Sequence, residues 1–136
     1  MSASTFVDTG ILVGALLLEH PEHAACESVL AGNADVFTDA HCLAEVFATL
    51  TGFYKVPTAE SSELTLTLCD VLRVEPLDIS DYRTSISEAR QRGVMGGGIY
   101  DSLHATIARK FGAKRIATRN PGHFAHVAPE MQILTP

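Results

Sequence analysis

The chain has 136 residues, 46% hydrophobic and 19% charged, enough for one domain with its own core. Its net charge of −6 argues against a general polyanion binder, and no apolar run nears the ~20 residues of a membrane span. Cys26, Cys42 and Cys69 form no CxxC pair, and an odd, scattered set fits reduced thiols in a cytoplasmic protein.

Charge is unevenly spread. Residues 1–72 carry ten acids and one base, Lys55, whereas residues 73–136 carry six acids and nine bases. A polyanion ligand would therefore need metal ions to mask the acids, and a basic face drawn from the second half.

Taken in order, residues 4–8 form a β-prone run that delivers Asp8 to its C-terminal end. Residues 11–18 follow as a helix. Gly14 interrupts them and no base precedes them, unlike a secretory leader. Pro21 restarts the chain, and residues 22–30 read as a second helix with Ala25, Val29 and Leu30 inward. Residues 32–35 are a turn, and residues 36–38 a second strand. Asp39 is placed to cap a helix over residues 41–50, with Leu43, Val46, Phe47 and Leu50 apolar and Glu45 about one turn in.

Residues 52–57 break the pattern. Thr58 is an N-cap candidate for a helix over residues 61–72 carrying Leu64, Leu68, Val71 and Leu72. Residues 73–77 are a weak strand, nearer an edge because of Pro76. Ser80 opens a helix with Tyr82, Ile86 and Ala89 at i, i+4 and i+7, ending near Gly93. Gly96, Gly97 and Gly98 form a loop free of side chains. A helix follows with Asp101 near its start and Ile99, Leu103, Thr106, Ile107 and Lys110 at helical spacing; Gly112 ends it. Residues 115–118 are a buried strand, residues 119–122 a sharp turn running into a short turn to Phe124, and residues 131–134 a last strand. Short strands alternating with helices predict a single three-layer α/β/α domain over residues 1–136, with a mostly parallel sheet of four or five strands.

On that layout four polar residues share a rim. Asp8 ends the first strand, Glu45 lies in the helix after the second, Asp101 starts the helix before the fourth, and Asn120 follows that strand. In an open parallel sheet the C-terminal strand ends line one crevice. Each residue alone has an ordinary structural role: a cap, a solvated helix face, a first-turn acid, a turn residue. Together, carboxylates that repel one another are naturally held by a hard divalent cation such as Mg2+, which suits metal-assisted phosphodiester hydrolysis.

Asp8-Thr9, Glu45, Tyr100-Asp101 with Ala105 four residues on, and the run Thr118 to Phe124 resemble the signature of PIN-domain ribonucleases. The chain length and closing apolar strand resemble the VapC-type toxins of bacterial toxin–antitoxin pairs. The resemblance implies a Mg2+- or Mn2+-dependent endoribonuclease. Asp8, Glu45 and Asp101 would be metal ligands, Asn120 the fourth catalytic position, and Thr118 and Thr9 supports. It also implies an antitoxin partner and a homodimer or toxin–antitoxin hetero-oligomer. Leu16, Leu17 and Leu18, more than one inward stripe needs, are candidates for a partner surface. Two positions differ from the family pattern: Gly10 stands where Asn is common, and Asn120 where Asp is common.

Arg119, Arg109, Arg92 and Arg90 are the cations expected nearest the RNA phosphates. His104 lies one turn past Asp101, near the site, although a metal mechanism needs no imidazole base. His20, His23 and Cys26 offer only three ligands around a Pro, and His123 and His126 read as surface or packing residues. Two other readings remain. One is a catalytically silent PIN-like module that binds RNA or a protein. The other is a phosphoacceptor domain built on Asp8, disfavoured because no lysine follows a strand end.

Overall fold

A computed structural model describes residues 4–33 and 35–136. Ala34, in the turn expected at residues 32–35, lies outside the described residues. Five strands, β1 (Ser4–Val7), β2 (Val36–Asp39), β3 (Arg73–Glu75), β4 (Ala113–Ala117) and β5 (Gln132–Leu134), form one sheet in the order β3-β2-β1-β4-β5. Every pairing is parallel. The sheet is the upper of the two expected sizes, and β3 is at an edge as Pro76 suggested.

The helices are α1 (Thr9–Leu16), α2 (His23–Ala31), α3 (Ala40–Gly52), α4 (Thr58–Val71), α5 (Ile79–Glu88) and α6 (Gly98–Lys110), with a 3-10 turn over Pro121–Phe124. The chain runs outward from β1 through β2 to β3, then crosses to β4 on the other side of β1. Right-handed crossovers in opposite directions put α1–α4 and α5–α6 on opposite faces, giving an α/β/α sandwich. The reversal leaves a crevice between the C-terminal ends of β1 and β4, the place where such sheets bind ligands.

Phe6 and Val7 of β1 are fully buried, and Phe6 meets Phe37 of β2 edge-on at 5.6 Å. This apolar centre is what a strand paired on both sides requires. Ile11, Leu12 and Val13 bury α1 against the sheet. At Gly14 an added Cβ would lie 2.5 Å from Cys26 Sγ, so α1 and α2 pack closely only because residue 14 has no side chain. Gly112, at φ +79°, turns the chain out of α6 in a conformation that favours glycine.

Three helix readings change. Asp78, not Ser80, starts α5: its carboxylate accepts from the amides of Ser80 and Asp81, and Asp81 answers to the Asp78 amide, a capping box. Thr58 is the first residue of α4, with Pro57 before it, and caps nothing. On α5 the expected apolar row Tyr82–Ile86 is exposed, while Asp81 and Ser85 are buried. Ser85 and Thr106 share a 2.7 Å hydrogen bond, and Lys110 reaches Asp81, so polar groups of α6 select the polar face of α5. Among the described residues, no helix is long and apolar enough to cross a membrane.

Candidate active site

The crevice between β1 and β4 is a cleft lined by Asp8, Glu45, Asp101 and Asn120, together with Thr9, His104, Arg119 and His123. The four residues predicted to converge do so. Asp8 sits at the junction where β1 becomes α1 and caps that helix, accepting from the Ile11 amide. Its other oxygen accepts a 2.5 Å hydrogen bond from Thr118, just past β4. Thr118 Oγ1 also accepts from the Asn120 amide, which ties the turn holding Asn120 to the same spot.

Asp101 lies in the first turn of α6, with the His123 ring at 3.6 Å. His123, read from sequence as a surface or packing residue, therefore belongs to the cleft. Burial raises the pKa of both Asp8 and Asp101. For Asp8 the Thr118 hydrogen bond opposes this, and the Asp101 charge adds to it. A buried acid, Asp8, and a half-buried one, Asp101, share the cleft, and for both the cost of burial outweighs the His104 charge.

Glu45 is held differently. Its Oε1 accepts from Thr9 at 3.1 Å and from His104 Nε2 at 2.5 Å. The opposite ring nitrogen of His104 donates to Asp39 at 2.6 Å, and Cys42 Sγ lies 3.7 Å away. His104 is only 2% exposed and Asp39 is fully buried. Burial disfavours a charged ring, but the Cys42 sulfur and the hydrogen bonds to Asp39 and Glu45 outweigh it, and His104 titrates well above the usual range. A ring that donates through both nitrogens is an imidazolium. Burial alone would raise Glu45; the His104 hydrogen bond and charge reverse that, and its pKa is lowered.

The sequence reading missed this clamp. The sequence marks Asp39 only as a cap, which it is, accepting from the Cys42 amide at 3.0 Å. Its second oxygen does the rest. The signal was present in outline: Glu45 rides the helix that Asp39 caps, and His104 shares a face of α6 with Asp101. Asp39, Cys42 and His104 have the donor types of a metal site. The ring proton between Asp39 and His104 accounts for their contact without an ion.

The arginines divide. Arg119 lines the cleft, its side chain lying over Gly10 and its Nε bonded to Glu22 at 2.8 Å. Arg109 binds Glu130 and the Val127 carbonyl, and Arg92 binds Glu88 and the same carbonyl at 3.2 Å. Neither lines the cleft, nor does the exposed Arg90. Arg109 and Arg92 instead pin the segment after the 3-10 turn.

The PIN domain family model matches residues 5–129. A comparison with curated proteins finds no sequence match. Among solved structures, VapBC2 from Rickettsia felis, bound to a DNA fragment from its promoter, is similar at 19% identity. It covers 98% of each chain with a TM-score of 0.71. VapC20 of Mycobacterium tuberculosis, a sarcin-ricin loop cleaving toxin, is 18% identical over 82% of this chain and 86% of its own, TM-score 0.70. FitAcB from Neisseria gonorrhoeae is 19% identical over 96% of each chain, TM-score 0.68. The five-stranded parallel sheet, the acids at its switch point and the family match over residues 5–129 agree, and the chain belongs to the PIN domain family.

Proposed function

We propose that this PIN domain is an endoribonuclease that uses Mg2+ or Mn2+ to cut RNA phosphodiester bonds, as the toxin half of a toxin–antitoxin pair. The observation that carries the reading is the meeting of Asp8, Glu45 and Asp101, from three separate elements, in one cleft. The donor set is all oxygen, and the raised acids Asp8 and Asp101 are those a hard cation would relieve. A divalent cation bound there supplies charge neutralisation at the scissile phosphate and activation of the attacking water. In this reading Asp8 and Asp101 hold the ion, with Glu45 beside them. Thr118 fixes the Asp8 carboxylate; Thr9 and His104 fix that of Glu45. Asn120 completes the shell with a neutral amide, and Arg119 offers charge to an RNA phosphate. That VapC20 is an RNA-cleaving toxin supports RNA as the substrate class.

A partner surface goes with the reading. Leu16, Leu17, Leu18, Val56 and Leu64 line an apolar groove beside Tyr54, which also lines the cleft. We assign this groove to the antitoxin, whose bound segment would then end at the acids. The exposed row Ile79, Tyr82 and Ile86 on α5 suits a second copy of the chain. A cytoplasmic location follows from the same reading.

The test is cleavage of total RNA by purified protein with Mg2+, with Mn2+ and with EDTA. Metal-dependent cleavage that Asp101→Asn abolishes, in a protein with unchanged circular dichroism, is the expected result. Equal cleavage by folded Asp101→Asn protein would overturn the assignment. One observation favours the silent-module alternative: Glu45 is already engaged by His104 and Thr9. Calorimetry separates the two, since a silent module shows no Mn2+ binding that Asp8→Asn removes.

A further inference from the structure

We infer that Tyr100, backed by His41, is a stacking platform for one RNA base at the edge of the acidic cleft, an inference that rests on the nuclease reading. Tyr100 precedes Asp101 in the first turn of α6 and lines the cleft. Its ring is stacked on the His41 imidazole, centroids 5.2 Å apart and planes 16° from parallel. His41 lies 5.9 Å from His104, which lies 5.8 Å from Phe6, so a column of rings runs from the rim to the centre of the sheet. Tyr100 nevertheless keeps 46% of its surface exposed.

That combination is not what packing alone produces. A tyrosine needed for the core would be covered, and an incidental surface tyrosine would not be backed by a ring column anchored on the buried His104. Tyr100 lines the cleft and His41 does not, so of the two stacked rings only the tyrosine is presented to a ligand there. Gly97 lines the cleft beside Tyr100 and adds no side chain over the ring. Arg119 lies in the same cleft, so base and phosphate of one nucleotide would find a flat ring and a cation around the acids. Single-stranded RNA offers unpaired bases for such stacking, and the contact tolerates any base because every base has a π-face. The other strongly exposed aromatic, Phe53, lies off the cleft and has no such place.

The chain contains no tryptophan, so Tyr100→Trp puts a single, selectively excitable tryptophan on the platform. A short single-stranded adenosine oligonucleotide, titrated with the metal chelated, should quench it strongly. An abasic strand of the same length should quench it weakly, and a Tyr82→Trp control on α5 should not respond. In turnover with Mn2+, Tyr100→Ala should raise KM about tenfold with little change in kcat, while Tyr100→Phe keeps the wild-type value. RNA binding seen by anisotropy without quenching of Tyr100→Trp, or a wild-type KM in Tyr100→Ala, would overturn the inference. Quenching in a protein that cleaves nothing would support the platform while sinking the nuclease reading; cleavage without quenching does the reverse.

Discussion

Asp8 and Asp39 have the same local grammar and opposite fates. Each stands where a parallel strand becomes a helix, and each caps that helix through one carboxylate oxygen. They differ in what meets the second oxygen. For Asp8 it is the Thr118 hydroxyl, which carries no charge. For Asp39 it is the imidazolium of His104. Asp39 is therefore sealed and neutralised, while Asp8 faces a cleft and feels the His104 charge only at a distance. A strand-end acid becomes available for a metal or substrate when no cation bonds its free oxygen, and α6, far away in sequence, decides which acid that is.

The largest test of this contrast is to neutralise each acid in turn. Asp8→Asn keeps the cap and should lower RNA cleavage by about a hundredfold or more, comparable with losing a principal charge-stabilising group. Its folding should not suffer. Because burial raises Asp8 in the fold, its ionisation opposes folding, so stability is fullest below the ordinary carboxylate range and falls as pH rises through the folded pKa. Thermal unfolding of metal-free Asp8→Asn at neutral pH should match or exceed wild type. A lower melting temperature would contradict the account.

Asp39→Asn should do the reverse. It breaks a fully buried ion pair and should cost about 3 kcal/mol or more in urea unfolding. His104→Gln should cost a similar amount, and the double variant less than the sum, because each single change strands the same partner. The pH sign is the same as that of Asp8, but the window lies at higher pH. His104 is raised in the fold, so its contribution is complete below ~6.5 and lost as pH climbs through the elevated value. Wild type should lose stability on the alkaline side, and His104→Gln should lose none there. Parallel alkaline profiles would show that the ring is neutral.

A smaller effect is expected at Asn120. A fourth carboxylate adds negative charge to the cleft, so Asn120→Asp should tighten Mn2+ binding severalfold in calorimetry, and Asn120→Ala should lose more activity than Asn120→Asp. Unchanged affinity in the first and wild-type cleavage in the second would make Asn120 a turn residue only. The smallest concerns Thr118. Thr118→Val removes the hydrogen bond that lowers Asp8, so the acidic limb of the cleavage profile should move slightly upward in pH. An unmoved limb would mean Asp8 does not set it.

Much of this protein was legible from local chemistry. Strand and helix order, the capping aspartates at 8 and 39, the glycine stop at 112 and the common rim of Asp8, Glu45, Asp101 and Asn120 all follow from short-range rules and the handedness of parallel sheets. Those rules act within a few residues, so one sequence carries them in full. The rest depended on which faces meet. Apolar spacing on α5 pointed to Tyr82 and Ile86 as its inner row, but Thr106 and Lys110 on α6 bind Ser85 and Asp81, and the inner row is polar. Arg109 and Arg92 read as free charge for RNA until the Val127 carbonyl and nearby glutamates occupied them. His104 joins Asp39 and Glu45 across separations of 65 and 59 residues. No local pattern encodes such a partner, because hydrogen bonds and burial are set by distance in space. Which acids this chain carries is therefore a property of its sequence, and which of them keep their charge unanswered is decided only when α6 packs against the ends of β1 and β2.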